Sequence, residues 1–427
     1  MHVRQAIRGS TYGPGLLALM LAVSCPAAAA AGAEGETEPS ARAGAAAPQA
    51  VREKPAVMVM PSDGSQGVPT DTTVLVGVRG GTLEKVTVRA VKGSKGSAGA
   101  ALPGVLSADG TQWRSRGTAA PGTTYEVTVL AADPEGGTME STSSFTTVRA
   151  AEGFAVQSLL PHRDYTGLTV GVGMPIMITF DRDVTDRLSV ERNLLLRTSK
   201  PVHGAWHWFD DRNVHFRPKR FWPAHTRVRL EARLSGVRGG EGLYGRRDHV
   251  LDFRIGRSQI TSGSVHAHRL TVRRDGEEIR EIPMSAGQGG VWKYHTTSGI
   301  HLAMSREPVT IMISPGIGPG QPGYYRKTVY NTVRISNSGE YVHSAPWSVG
   351  SQGRANVSHG CVNVSPANAR WFIDNTLIGD PIIITGSPRE LEPTNGWGHW
   401  QEDWAQWTRW STLKGFTTEG IGSSAGQ

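Results

Sequence analysis

Cysteine is nearly absent from the chain, which has only Cys25 and Cys361 among its 427 residues. This scarcity excludes a disulfide-stapled fold and leaves no Cys-x-x-Cys pair for a structural zinc. The sequence also lacks a Lys/Arg-rich run with interleaved aromatic residues. Nucleic acid is therefore the weakest of the partners that a formal net charge of +8 suits, and membrane lipid or an anionic wall polymer fits better.

Apolar runs of membrane-spanning length are absent too. The apolar run 16–23 follows Arg4 and Arg8 and precedes an alanine-rich stretch, which is the order of a secretory signal over residues 1–30. Cys25 resembles the lipidated cysteine of a bacterial lipoprotein signal, although Ala22 stands where a large aliphatic residue is more usual. Cleavage without lipidation is the alternative. We expect an exported protein, with membrane attachment limited to an N-terminal lipid.

Glycine and proline, by contrast, are abundant, with 53 and 25 residues. Together with frequent Val/Thr pairs, they predict a mainly β protein of short strands and tight turns. Residues 31–54 lack hydrophobic periodicity and predict a flexible linker. Residues 55–150 and 151–257 each contain alternating strands divided by turn signals, so we predict one β-sandwich in each block.

The third block, residues 258–388, is predicted to be mostly β with few helices. It opens with strands and continues into a Gly/Pro-rich loop, Ser314 to Gly323. One helix is predicted to follow Ser365, a suitable N-cap, with Pro366 at its first position. The tail, residues 389–427, is rich in tryptophan and is expected to pack on this domain.

Cys361 is a candidate nucleophile. Either signal interpretation removes Cys25 as a free thiol, so the exported protein keeps one unpaired cysteine. A small buried apolar residue is the alternative role. Cys361 follows His359 and Gly360 and stands before the predicted helix, whose N-terminus favours a thiolate. His343 and His359 are candidate bases, and the amides of Gly360 and Cys361 are candidate donors to an oxyanion.

Metal binding is the rival interpretation of these residues. His343, His359 and Cys361 are all zinc-ligand types, but the chain offers no obvious fourth ligand. Three histidines of the second block also lack a repeated ligand spacing, and we expect them at scattered surface positions: His203, His207 and His215. We therefore favour Cys/His acyl transfer without a metal.

The spacing around the Cys/His pair matches a known signature. A spacer separates His343 from Ser358-His359-Gly360-Cys361-Val362-Asn363, and this arrangement resembles the catalytic motif of the L,D-transpeptidases. The flanks, residues 341–350 and 364–372, are similar to the actinobacterial branch of that family. The same branch resembles this chain in its order of a lipoprotein-like signal, two immunoglobulin-like domains, a catalytic domain and a Trp-rich C-terminal segment.

The resemblance implies an enzyme of peptidoglycan synthesis in the cell wall or periplasm-equivalent space. Cys361 would attack the third residue of a stem tetrapeptide and release D-alanine. A side-chain amine of another stem would then resolve the thioester into a 3→3 cross-link. No cofactor is implied. Carbapenems are expected to acylate Cys361 because they mimic the acyl donor.

Residue roles follow from the same match. His343 corresponds to the general base, and Ser344 to the residue whose main-chain carbonyl orients it. His359 and Gly360 adjoin the nucleophile and are expected to support the site. The positions that match substrate contacts are Tyr325, Ser338, Gly339 and Asn363. Trp347 and the loop Ser314 to Gly323 resemble a lid over the pocket.

Three alternatives use the same features differently. An L,D-carboxypeptidase or other cysteine acyl-transfer enzyme would use the same residues, with water in place of the acceptor amine. A sortase-like enzyme needs a downstream arginine and a cysteine near a strand end, and the His-Gly pair before Cys361 disfavours it. A non-catalytic peptidoglycan-binding protein would keep the sandwich blocks but has no use for the thiol.

Overall fold

A computed structural model of the chain describes residues 54–91, 99–314, 317–322 and 324–421. The predicted signal peptide with Cys25 lies outside the described residues, and so does the predicted linker except residue 54. None of the helices in the described ranges is long and apolar enough to cross a membrane.

The first block forms two four-stranded sheets, in the orders β1-β3-β6-β5 and β2-β8-β7-β4. Their strands are β1 Ala56–Met60, β2 Ser65–Val68, β3 Leu75–Arg79, β4 Thr82–Ala90, β5 Gly104–Leu106, β6 Gln112–Ser115, β7 Thr124–Ala132 and β8 Thr138–Thr147. Alternation along β7 buries every second side chain, because successive residues of a strand point to opposite faces: Tyr125, Val127, Val129 and Ala131. These residues form the core between the sheets.

The second block is again a pair of sheets, with four of its own strands in each: β10-β12-β15-β14 and β11-β19-β16-β13. A small third sheet has the order β17-β18-β9. The elements are β9 Glu152–Phe154, β10 Val156–Leu160, α1 Arg163–Thr166, β11 Thr169–Val170, β12 Ile176–Phe180, α2 Arg187–Arg192, β13 Leu194–Thr198, β14 His203–Trp208, β15 Asn213–Pro218, β16 Arg227–Ala232, β17 Arg238–Gly240, β18 Leu243–Gly245 and β19 His249–Ile255. Its core contains three buried indoles, those of Trp206, Trp208 and Trp222.

The third block contains a nine-stranded sheet in the order β23-β28-β20-β21-β22-β27-β26-β25-β24. Its elements are β20 Gln259–Ser264, β21 Arg269–Arg274, β22 Glu277–Ser285, β23 Gly299–Leu302, β24 Ser305–Ile313, β25 Arg326–Arg334, β26 Tyr341–Ser344, β27 Val362–Val364, α3 Pro366–Asn375 and β28 Pro381–Thr385. Helix α3 begins as predicted: the Ser365 side chain accepts a hydrogen bond from the Asn368 amide, and Pro366 is the first helical residue. Its buried face contributes Ala369, Phe372 and Ile373 to the core.

The C-terminal segment adds α4 Trp404–Arg409, β29 Phe416–Thr417 and β30 Glu419–Gly420. Strand β29 pairs with β14 and β30 with β13, so the segment covers one edge of each sheet of the second sandwich. The Trp407 indole is buried there and donates to the Ala205 carbonyl at 3.0 Å. We expected this segment to pack on the third block, and Asn395 is indeed hydrogen-bonded to Ser338 of that block. The second sandwich nevertheless receives its strands, because uncovered strand edges need hydrogen-bond partners.

The histidines of the second sandwich also differ from expectation. His203 is exposed, but His207 is buried and His215 is partly buried, so the prediction of scattered surface positions was wrong for these two. His207 Nδ1 donates to the Trp407 carbonyl at 2.9 Å, and His215 Nδ1 lies 2.8 Å from His399 Nε2. Both pack against the C-terminal segment, which sequence periodicity did not place there. The described part of the chain holds no group of three or more His, Cys, Asp or Glu side chains arranged for a metal ion.

Candidate active site

Two parallel neighbouring strands bring the predicted base and nucleophile together. The register of β26 and β27 pairs His343 with Asn363, and Cys361 directly precedes β27. The side chains on this side of the sheet line a cavity of about 320 Å³: Met312, Tyr325, Lys327, Val329, His343, Trp347, Val357, Ser358, His359, Cys361 and Asn363. Residues far apart in sequence thus share one solvent-accessible space.

His343 is a buried, uncharged imidazole with one ring nitrogen held by the main chain. Its side chain is buried, with 3% of its surface exposed, and Nδ1 donates to the Ser344 carbonyl at 2.9 Å. Because Nδ1 carries the proton, Nε2 is the nitrogen that can accept another. Burial and, to a smaller extent, the positive charge of Lys327 lower the pKa of His343 to about 4, although the bond to the Ser344 carbonyl acts in the opposite direction. The Ser344 side chain is buried, and the carbonyl is the group of this residue that contacts the imidazole.

Cys361 is held as a thiol rather than a thiolate. Its Sγ lies 3.6 Å from the Gly339 carbonyl oxygen, and the residue is partly exposed. The protein around the sulfur raises the pKa of Cys361 to about 12, mainly by burial and further by the Glu340 carboxylate. The prediction that a helix N-terminus favours the thiolate was wrong, because strand β27 separates Cys361 from α3. At neutral pH the resting pair is therefore thiol and uncharged imidazole.

Gly360 adopts a backbone conformation beside Cys361 that other residues rarely adopt. Its φ of +124° lies in a region that side chains rarely adopt, which explains a glycine here. The Gly360 amide donates to Ser358 Oγ at 3.1 Å, and its carbonyl accepts from Thr296 Oγ1 at 2.7 Å. An amide already bonded to Ser358 is a poor oxyanion donor, so the Cys361 amide is the better of the two candidates.

The remaining predicted residues divide between two cavities that meet at Cys361. Asn363 and Trp347 line the first, where Asn363 Nδ2 donates to Ser348 Oγ at 3.1 Å. Ser338 and Gly339 line a second cavity of about 270 Å³. Tyr325 and His359 border both, with ring centroids 5.6 Å apart. Two cavities around one thiol suit a reaction with two substrates.

The predicted lid is described only in part. Residues 315, 316 and 323 of the loop Ser314 to Gly323 lie outside the described residues. Ser314 Oγ accepts a hydrogen bond from the Tyr325 amide at 3.1 Å. The lid function of this loop stays a prediction. Trp347 is 49% exposed, and its ring lies 6.0 Å from that of His343.

Comparison with known proteins agrees with this geometry. Residues 263–384 match the L,D-transpeptidase catalytic domain, and residues 65–238 match a bacterial Ig domain. The chain is 35% identical to L,D-transpeptidase 2 of Mycobacterium tuberculosis over 349 residues, which are 81% of this chain and 82% of that protein. The chain belongs to the L,D-transpeptidase family. The predicted fold class and transpeptidase activity are thereby confirmed.

Two further L,D-transpeptidases are similar to this chain. L,D-transpeptidase 5 of Mycobacterium tuberculosis is 33% identical over 365 residues, which are 84% of this chain and 77% of that protein. A solved structure of the LD transpeptidase LdtMt1 in complex with imipenem is 39% identical and covers 54% of this chain and 99% of its own, with a TM-score of 0.46.

Two residues at the site of this L,D-transpeptidase were not predicted from the sequence. Lys327 lines the first cavity, and strand alternation from Tyr325 through Lys327 to Val329 was a signal for it. Glu340 is buried and accepts hydrogen bonds from the Thr297 amide at 2.7 Å and the Thr297 hydroxyl at 2.8 Å. No local pattern indicates a partner 43 residues away.

Proposed function

We propose that this L,D-transpeptidase is a cysteine-dependent acyltransferase that uses Cys361 as nucleophile and peptidoglycan stem peptides as both donor and acceptor. The supporting observation is the placement of His343 and Cys361 in one cavity, with Nδ1 of the imidazole bound to a main-chain carbonyl. A thiol with a neighbouring oriented base is the arrangement that nucleophilic acyl transfer requires.

Acylation begins with proton transfer from the thiol. Nε2 of His343 takes the proton as Sγ of Cys361 attacks the carbonyl carbon of the third stem residue. The S–C bond forms, the C–N bond to the terminal D-alanine breaks, and the imidazolium returns its proton to the leaving amine. Because both resting groups are uncharged, the proton moves when the substrate is in place.

Deacylation uses the same groups in reverse. The amine of a second stem gives its proton to His343 and attacks the thioester carbon. The N–C bond of the 3→3 cross-link forms, the C–S bond breaks, and the imidazolium returns the proton to Sγ of Cys361. Water in place of the amine would release a tripeptide acid, so amine access sets the ratio of transfer to hydrolysis. We propose that the reaction takes place outside the cytoplasm, on the cell wall.

Carbapenem acylation tests the nucleophile. Wild-type protein incubated with a carbapenem should gain the mass of one drug molecule, because the strained lactam carbonyl replaces the stem carbonyl. The variant Cys361→Ala should gain none, and Cys25→Ala should react like wild type. Intact mass spectrometry measures all three. An adduct on Cys361→Ala would show that the wrong nucleophile is named.

Cross-linking tests the substrate class. Wild type incubated with disaccharide-tetrapeptide should produce dimers joined 3→3 and free D-alanine, both visible by chromatography and mass spectrometry. Cys361→Ala should produce neither. An adduct-forming enzyme that only releases tripeptide would contradict the transferase proposal and identify a carboxypeptidase.

A further inference from the structure

Lys327 is an exposed residue that lines the cavity containing His343, and it places a positive charge beside that histidine. It lies on β25 between Tyr325 and Val329 in the alternation that lines this cavity. Its Nζ is 3.4 Å from the centroid of the Trp347 ring, a cation–π contact. Within the described ranges, neither Asp nor Glu forms an ion pair with it. The ammonium is therefore held in position by an aromatic ring and lacks a counter-charge.

The positive charge of Lys327 disfavours the reaction unless a negative charge on the substrate compensates for it. His343 must become an imidazolium during catalysis, and a nearby cation disfavours that charge. Lys327 already acts in this direction on the resting imidazole. A negative group of the substrate, bound beside Lys327, would cancel the repulsion at the moment when His343 takes its proton.

The chemistry of the acyl donor indicates which part of it carries this negative group. The leaving amine must receive its proton from His343, so the departing residue occupies the His343 side of Cys361. In D-alanine the carboxylate is attached one carbon away from that amine. The cavity of about 320 Å³ contains His343, Cys361 and Lys327 together, which gives room for this residue.

We propose that Lys327 binds the carboxylate of the leaving D-alanine and so makes the enzyme selective for donors with a free C-terminal acid. This inference rests on the proposed use of stem tetrapeptides. The second cavity, whose lining does not include His343, carries its own cations, Lys293 and Arg389. They are not placed to meet the leaving group.

Paired donors test this selectivity in the full-length protein. One donor is disaccharide-tetrapeptide ending in D-alanine, and the other ends in D-alaninamide. The rate of release of each leaving group gives kcat/KM by mass spectrometry. Wild type should prefer the acid by about 10- to 100-fold, the size expected for a charge-assisted hydrogen bond. Lys327→Gln should reduce this ratio to about 1, mainly by slowing the reaction of the acid.

Two control variants accompany the test. Lys327→Arg retains the charge and should keep the preference. Arg326→Gln removes an adjacent cation that is exposed like Lys327 but lines neither cavity, and its acid-to-amide ratio should equal that of wild type. A wild-type enzyme without acid preference, or a Lys327→Gln variant that keeps the ratio or loses both substrates equally, would overturn the proposal. Absence of D-alanine release by wild type would instead refute the stem-peptide function.

Discussion

His343 in the third block and His207 in the second sandwich are closely similar imidazoles. Both are buried, with 3% and 2% of their surface exposed, and both donate from Nδ1 to a main-chain carbonyl at 2.9 Å. Burial lowers the pKa of each. Their surroundings differ, because His343 lines a cavity with a thiol, whereas His207 stacks on the Trp407 ring at 4.4 Å and contacts Phe209.

Burial alone does not distinguish a catalytic histidine from a structural one. A lowered pKa and an orienting carbonyl are present at both sites, so neither feature identifies a base. Access to a nucleophile distinguishes His343, and dense aromatic packing distinguishes His207. We therefore expect His343 to serve chemistry and His207 to join the C-terminal segment to its sandwich.

The largest effect should follow substitution of His343, the proposed base. His343→Gln should lower kcat/KM for D-alanine release by about 10²- to 10⁴-fold, the usual contribution of general base catalysis. His207→Gln should stay within a few fold of wild type at neutral pH. Equal losses in both variants would break the distinction between the two sites.

The pH dependence of kcat/KM should also distinguish His343 from an ordinary histidine. Activity requires the uncharged imidazole, so kcat/KM should fall only as pH decreases toward the lowered pKa of His343, about 4. An ordinary imidazole would lose activity near pH 6.5. Initial rates between pH 3.5 and pH 8 measure the acid limb. A midpoint near 6.5 would contradict the buried, cation-flanked base.

An effect of intermediate size is expected on the free energy of unfolding, through the histidines where the C-terminal segment meets the second sandwich. Burial lowers the pKa of His399 to about 3, and the pKa of its partner His215 is also well below the usual value. The unfolded chain binds protons near pH 6.5 that these two folded histidines do not, so stability is lost as pH falls below about 6.5. Between pH 7 and pH 5 the free energy of unfolding should decrease by about 2 kcal/mol for each histidine that is protonated only in the unfolded chain.

Urea unfolding followed by tryptophan fluorescence measures this loss. The positive charge of Arg217, and that of His207 when it is protonated, disfavour protonation of His399, and Glu402 lies 3.6 Å from His207. His399→Gln removes one of these titrating groups and should make the pH dependence shallower, while the exposed His203→Gln should leave it unchanged. An unaltered slope in His399→Gln would show that the acid sensitivity arises elsewhere.

The smallest effect concerns Ser344. Its carbonyl, not its side chain, bonds His343, so Ser344→Ala should change kcat/KM by less than about threefold. Steady-state rates beside those of His343→Gln measure the difference. A loss approaching that of the base variant would mean that the hydroxyl has a function of its own.

Local sequence patterns specified much of this molecule. Alternating strands and turn signals predicted a sheet pair in each of the first two blocks, and capping chemistry located the start of α3. The motif around His343 and Cys361 indicated the two residues that share the cavity. In each case the signal lies within a few consecutive residues or in a fixed spacing, so no tertiary information was needed.

Only the tertiary structure decided the electrostatics and the long-range partners. Cys361 is not at the N-terminus of α3, because β27 lies between them, and burial raises the pKa of its thiol. Lys327 became part of the site because β25 and β26 are neighbours in the sheet. The C-terminal segment joined the second sandwich through β29 and β30, some two hundred residues from its partners. Burial and pairing of this kind depend on which elements meet in space, and no local pattern encodes that meeting.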